Sequence, residues 1–131
     1  MIGAGCAGSA GVVDYAVTSL PWLGGSYRAH GSQRPSNAVA IQVVSLAAPI
    51  TAPIPAVLQP ASPACLLLAQ PDCIALQAAS GEVETSLAVP DSAALVGAVL
   101  VDQLVVVELD ASGILLQTAS SNGLAVTIGA L

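Results

Sequence analysis

The chain has 131 residues with no lysine, two arginines, one histidine and eight carboxylates, so it is 8% charged, 55% apolar and carries a formal net charge of −6. This excludes a phosphate-binding surface or a polybasic membrane contact, both of which need clustered Lys and Arg, and it excludes disorder, which goes with few aliphatic residues. An ordinary domain is about a quarter charged, so this one must coat itself with small neutral residues or be covered by copies of itself or by a partner.

Every apolar stretch is broken by Pro, Gly, Asp or Gln well short of the ~20 residues of a membrane span. Met1-Ile2-Gly3 has neither the basic start nor the apolar run of a signal peptide. Residues 1–11 are rich in Gly and Ala and bury little, so they read as an arm whose order depends on a tether or a partner. Gly3-Ala4-Gly5-Cys6-Ala7-Gly8 spells the dinucleotide fingerprint, but only Met1 and Ile2 precede it and the sequence after it is strand-like. The fingerprint needs a strand before it and a helix opening on its third Gly, so no cofactor is expected.

From Val12 to the end the dominant period is two. Val13, Tyr15 and Val17 alternate with Asp14, Ala16 and Thr18, and Leu23-Gly24-Gly25 then supplies a turn. Ser26 to His30 follows, with His30, Arg28 and Ser26 on one face. His30 is the one candidate general base, yet the sequence sets no acid or nucleophile beside it, and a catalytic triad needs both. It reads as a surface histidine. Val39, Ile41 and Val43 form the next strand. Residues 47–63 hold Pro49, Pro53, Pro55, Pro60 and Pro63, which forbid a central strand and predict an exposed loop or edge ribbon.

Glu82 to Val89 alternates most cleanly of all. Asp91 to Val96, stopped by Gly97, reads as one helical turn crossing between sheets. In Val99–Leu109 the valines 99, 101, 105 and 107 share a face while Asp102 and Glu108 point the other way. Asp110 to Gly113 and Ser121-Asn122-Gly123 read as turns, and Leu124, Val126 and Ile128 as a closing strand. The fold class is therefore all-β: an antiparallel two-sheet sandwich, Ig-like or jelly-roll-like, of about seven to nine strands, with one domain over residues 12–131 behind the arm.

Chemistry-bearing residues are sparse. The carboxylates Asp14, Asp72, Asp91, Asp102, Glu108 and Asp110 are scattered and form no calcium loop, and one histidine with no CxxC leaves zinc short of ligands. No metal is expected. Trp22 and Tyr27 could stack on a sugar, although in a chain without Phe a single Trp more readily fills a core or corner position. Cys6, Cys65 and Cys73 are an odd set. Bonding Cys6 to Cys65 would pin the arm, Cys65 to Cys73 competes, and the spacing leaves the connectivity open.

Taken together, the segments GAGCAGSAG from Gly3, LGGSYRAHGS from Leu23, PACLLLAQPD around Cys65, VPDSAALVG from Val89 and SSNGLAVTIG from Ser120 resemble a family of Gly-Cys-initiated modules. These often stand at the C-terminal end of large secreted proteins of environmental bacteria. The resemblance spans nearly the whole chain. It implies export, a β-sandwich and a Cys6–Cys65 disulfide, with Cys73 left as a free or intermolecular thiol, and it brings no activity with it.

The expectation is thus a secreted or cell-surface structural protein, not an enzyme, whose copies assemble into a filament, sheath or surface layer. Unguarded strand edges and a nearly uncharged surface favour such assembly. The expected contacts are the arm (Gly3, Gly5, Gly8) and the last strand (Leu124, Val126, Ile128). The alternative is a monomeric adhesion or carbohydrate-binding module that meets glycans with Trp22, Tyr27 and the loop 47–63.

Overall fold

The computed structural model describes residues 1–9, 11–32, 37–77 and 82–130. Its strands are β1 (Ala7–Gly8), β2 (Gly11–Val12), β3 (Tyr15–Ser19), β4 (Ser26–Gly31), β5 (Ala38–Ser45), β6 (Ala52–Pro53), β7 (Leu66–Leu67), β8 (Cys73–Gln77), β9 (Val83–Ala88), β10 (Val99–Leu109) and β11 (Leu115–Thr127). Two sheets carry the fold. One has four strands in the order β11-β10-β5-β8 and the other three in the order β3-β4-β9, and all pairings are antiparallel. A 3-10 turn at Ala93–Leu95 crosses from β9 to β10, where the Asp91-to-Val96 pattern placed it. The Ala79-Ser80-Gly81 turn signal between β8 and β9 lies outside the described residues.

Alternation drives the stacking. Tyr15, Tyr27, Ala29 and Val83 of the smaller sheet pack against Ala40, Val44, Leu100, Leu104, Val106 and Leu124 of the larger one. Burying such side chains is worth about 1.5–3 kcal/mol each for the larger aliphatics, and this shared core holds the two sheets together. β10 is buried on both faces, because its other face, Val101 and Val105 with Val43 of β5, lies beneath Leu67 and Ala69.

That cover adds an inner side to the exposed loop or edge ribbon expected at residues 47–63, most of which is exposed as expected. Five prolines do keep this stretch out of the main sheets, but Ile50, Ala52 and Leu58 pack onto the sheet's outer face and Ile54 is buried beside Cys65. Residues 50–69 form a third layer, held partly by the two-residue ladder β6–β7. Gln103 clamps it from below. Its side-chain amide donates to the carbonyls of Leu66 (2.8 Å) and Ser121 (3.0 Å), while its Oε1 accepts from the Leu68 N–H at 2.8 Å.

Ser121-Asn122-Gly123 is likewise no turn. It lies inside β11, where Gln103 pairs with Gly123 and Val105 with Ser120, so Leu104 faces two residues. This β-bulge redirects Asn122 to the neighbouring sheet. Its Oδ1 accepts from the Tyr15 N–H at 2.9 Å and its Nδ2 donates to the Tyr15 carbonyl at 2.8 Å. A side-chain amide here stands in for a neighbouring strand and ties β3 to β11.

Candidate functional site

The carboxylate with the most unusual surroundings is Asp102. Alternation sets it on the face away from valines 99, 101, 105 and 107, and it is fully buried there, because β10 has no solvent face. Its Oδ2 accepts from the Tyr15 hydroxyl (2.7 Å), the Tyr27 hydroxyl (2.9 Å) and the Gln42 amide (3.3 Å), and Tyr15 also meets Thr85 Oγ1 at 2.6 Å. Oδ1 has no hydrogen-bond partner among the described residues. Burial raises the Asp102 pKa and the hydrogen bonds from Tyr15, Tyr27 and Gln42 pull it partly back. Burial and the Asp102 charge likewise push both tyrosines upward. Such a cluster gives a substrate no access; it ties the three strands of the smaller sheet to β10 and β5 of the larger one. Glu108, on the same side of the alternation, is buried too and holds the arm, accepting from the Ser9 N–H and hydroxyl.

The arm itself has its partner in its own chain. Ile2 exchanges two backbone hydrogen bonds of 2.8 Å with Gly123, the Cys6 N–H donates to the Ser120 carbonyl at 2.8 Å, and a Cys6–Cys65 disulfide fastens it to the outer layer. Further along the same edge of β11, the Thr118 N–H donates to Pro60, and Gly129 bonds with Pro21 and Leu23. A β-carbon on Gly123 would lie 2.7 Å from Ile2 Cγ1, and one on Gly129 would lie 2.6 Å from the Trp22 ring. Only glycine lets those neighbours come so close.

These contacts correct part of the expected assembly surface. Leu124 and Ile128 are buried in their own fold's core, and Val126, half-buried, pairs with Leu100 of β10. Gly5 and Gly8 are half-buried in a segment bound to β11, and Gly3 beside them is exposed. Of the expected sugar platform only Tyr27 is corrected: it is wholly buried with its hydroxyl on Asp102, while Trp22 packs over Gly129 at a corner and remains exposed, and residues 50–69 cover a different face. His30 has an acid after all, with Glu82 Oε2 3.4 Å from its Nε2 at the surface. Among the described residues no three His, Cys, Asp or Glu side chains gather in one place.

What remains open is the opposite margin of the larger sheet. β8 pairs with β5 on one side, and no described segment pairs with the other. Ile74 stands opposite Val43, and Leu76 opposite Ile41, so both extend the sheet's outer apolar face beyond its cover. They are 59% and 73% exposed. Cys73, the free cysteine, starts the strand and is exposed. The sequence reading singled out Cys73 but missed the edge. The alternating Cys73-Ile74-Ala75-Leu76-Gln77 was the available signal, with an apolar phase of two residues in a chain that has no lysine to guard an edge.

No family model, curated protein or solved structure matches the chain. No helix among the described residues is long and apolar enough to cross a membrane.

Proposed function

We propose that the chain is a non-catalytic, extracellular structural module whose copies associate by backbone pairing along β8. The observation that carries this reading is the β8 edge, which no described segment covers, with Ile74 and Leu76 beside it, in a molecule that closes its other large-sheet edge with its own backbone. An unpaired strand with exposed aliphatics and no internal charge is a template for strand addition. The disulfide fits an oxidising compartment, as does the likeness to secreted Gly-Cys-initiated modules. β8 pairing with β8 of a second copy closes a two-fold dimer. Pairing with a different free edge, such as that of β9, repeats and gives a filament or sheet.

The test is sedimentation velocity across a wide concentration series, with and without reductant to separate a Cys73 crosslink from strand pairing, followed by negative-stain electron microscopy of any large species. The wild type is expected to associate. Ile74→Lys with Leu76→Lys is expected to remain monomeric with native circular dichroism. A wild type that stays monomeric throughout, or a double variant that assembles unchanged, overturns the reading.

A further inference from the structure

Four strands stack here on three. β3 lies by β11 through the Asn122 clamp and β4 reaches β10 through Tyr27 and Asp102, so β9, the last strand of the smaller sheet, ends before β8. Between these two margins the sandwich opens into a cleft of about 470 Å³. Its walls are Leu87 and Val89 from the β9 side and Val44 from β5, and its floor includes Leu95, Leu100 and Ile128. Four of these six, Val44, Val89, Leu100 and Ile128, are otherwise buried residues of the shared core. The cleft is about three times the ~150 Å³ that accommodates one benzene ring, and it falls in the range of small-molecule sites.

Left alone, such a space is costly. Water entering it would need two to four polar partners, and the walls offer almost none. Left empty, the lining side chains forgo dispersion contacts on one side. The polar groups stand at the rim: Asp72, whose Oδ2 accepts from the Ser45 hydroxyl, and the Cys73 thiol. Among the described residues no cationic side chain lines the cleft. An anionic head group would therefore find no counter-charge and would meet the Asp72 carboxylate, whereas a hydroxyl could donate to it.

We propose that this cleft binds a neutral aliphatic small molecule with a hydroxyl end, of the fatty-alcohol or terpenoid-alcohol class, its chain against Leu87, Val89 and Leu100 and its hydroxyl at Asp72. The site shares Cys73 with the β8 edge but needs no second copy to form. It is tested at concentrations where sedimentation gives one monomeric species, so failure of one reading leaves the other standing.

The probe is the neutral dye N-phenyl-1-naphthylamine, which brightens in an apolar site, titrated with intact disulfide-bonded protein. Saturable binding is expected, with displacement by 1-decanol and with decanoate at neutral pH weaker on the order of tenfold or more. Two plugs are then compared. Leu87→Trp fills the wall, and N-cyclohexylmaleimide on Cys73 blocks the rim of already folded protein. Each is expected to weaken dye binding on the order of tenfold, and the maleimide adduct to keep its near-UV circular dichroism. Absence of saturable binding, equal displacement by decanoate and decanol, or dye binding unchanged by the Cys73 adduct would each overturn the proposal.

Discussion

Along β11 the chain's own backbone occupies the outer edge at Thr118, Ser120, Gly123 and Gly129, using segments that lie up to 121 positions away in sequence, as Ile2 does from Gly123. Along β8 no described segment arrives, and the strand's neighbours are an exposed aliphatic pair, a thiol and a cleft. The difference teaches what closing an edge requires. It takes an extended segment with glycines at the close approaches, and a fastening strong enough to offset the entropy of ordering that segment. The N-terminal arm and the outer layer supply both at β11, and β8 is left as the margin available to other molecules.

Removing the fastening is the largest way to break this comparison. Cys6→Ser with Cys65→Ser reopens a loop closed across 59 positions, with an expected loss of about 4 kcal/mol in the chain-entropy account. Denaturant midpoints with and without reductant measure it. If the arm then detaches, β11 gains a free edge, and association in the double variant should persist even when Ile74 and Leu76 are replaced by lysine.

Asp102 tests how far the closed margin's order extends. Its network runs from Tyr15 and Tyr27 through Gln42 to Gln77 on β8, whose amide donates to Gln42 Oε1 at 3.3 Å. Asp102→Ala leaves the Tyr27 hydroxyl without its partner in a buried site, at a cost of about 3 kcal/mol. The pH dependence has a definite sign. Burial holds the folded-state pKa above its unfolded value, so the folded protein binds this proton more tightly. The stability it contributes is complete below the unfolded carboxylate range and is lost as pH rises through the raised pKa. Urea midpoints should therefore fall across that window for the wild type, and Asp102→Asn should remove this part of the slope.

Asn122→Ala cuts two hydrogen bonds to Tyr15 and should cost about 2 kcal/mol. Amide exchange at Tyr15 should quicken while that of β8 is unchanged. Equal acceleration at both margins would mean that the two flanks open as one unit and that the comparison is wrong.

The sequence showed most of this fold and little of where its residues act. Alternation in Glu82 to Val89 gave that strand its inner face directly; in Val39 to Val43 it gave a strand but not its inner face, because Ile41 and Val43 lie under the outer layer while Ala40 and Val44 face the smaller sheet. It left the burial of Asp102 unread because alternation identifies two faces without saying that one is wet. The unbroken Leu104-Val105-Val106-Val107 was the sign of a strand buried on both sides. Ser121-Asn122-Gly123 has the composition of a turn and serves as a bulge, a choice made by the ladder on either side of it. In the Pro-rich stretch, Ile50, Ile54 and Leu58 recur every four residues between the prolines and supply the apolar side of the cover. Prolines exclude a stretch from a ladder without excluding it from packing. Edge status is a property of what fails to arrive, so the alternation at Cys73 to Gln77 signals a strand with an unguarded apolar phase without saying which of its sides is left unpaired.

The sharpest form of the comparison is also the smallest in stability. Leu76→Lys places a charge on a side chain that is 73% exposed and makes no core contact, so its effect on unfolding should stay within about 0.5 kcal/mol. Its effect on association should be large, because a lysine on a bare edge must be desolvated when a second strand lies against it. Ile2→Lys is the matched change on the closed margin. Ile2 packs partly against the outer-face cluster and touches Gly123, so the same charge there should lower stability and leave association through β8 intact. Unfolding midpoints and sedimentation of the two variants, measured side by side, should therefore move in opposite pairs: stability alone for Ile2→Lys and association alone for Leu76→Lys. Should Leu76→Lys unfold the protein and Ile2→Lys disperse the assemblies, the margins would have exchanged roles, and the arm would be the contact between copies after all.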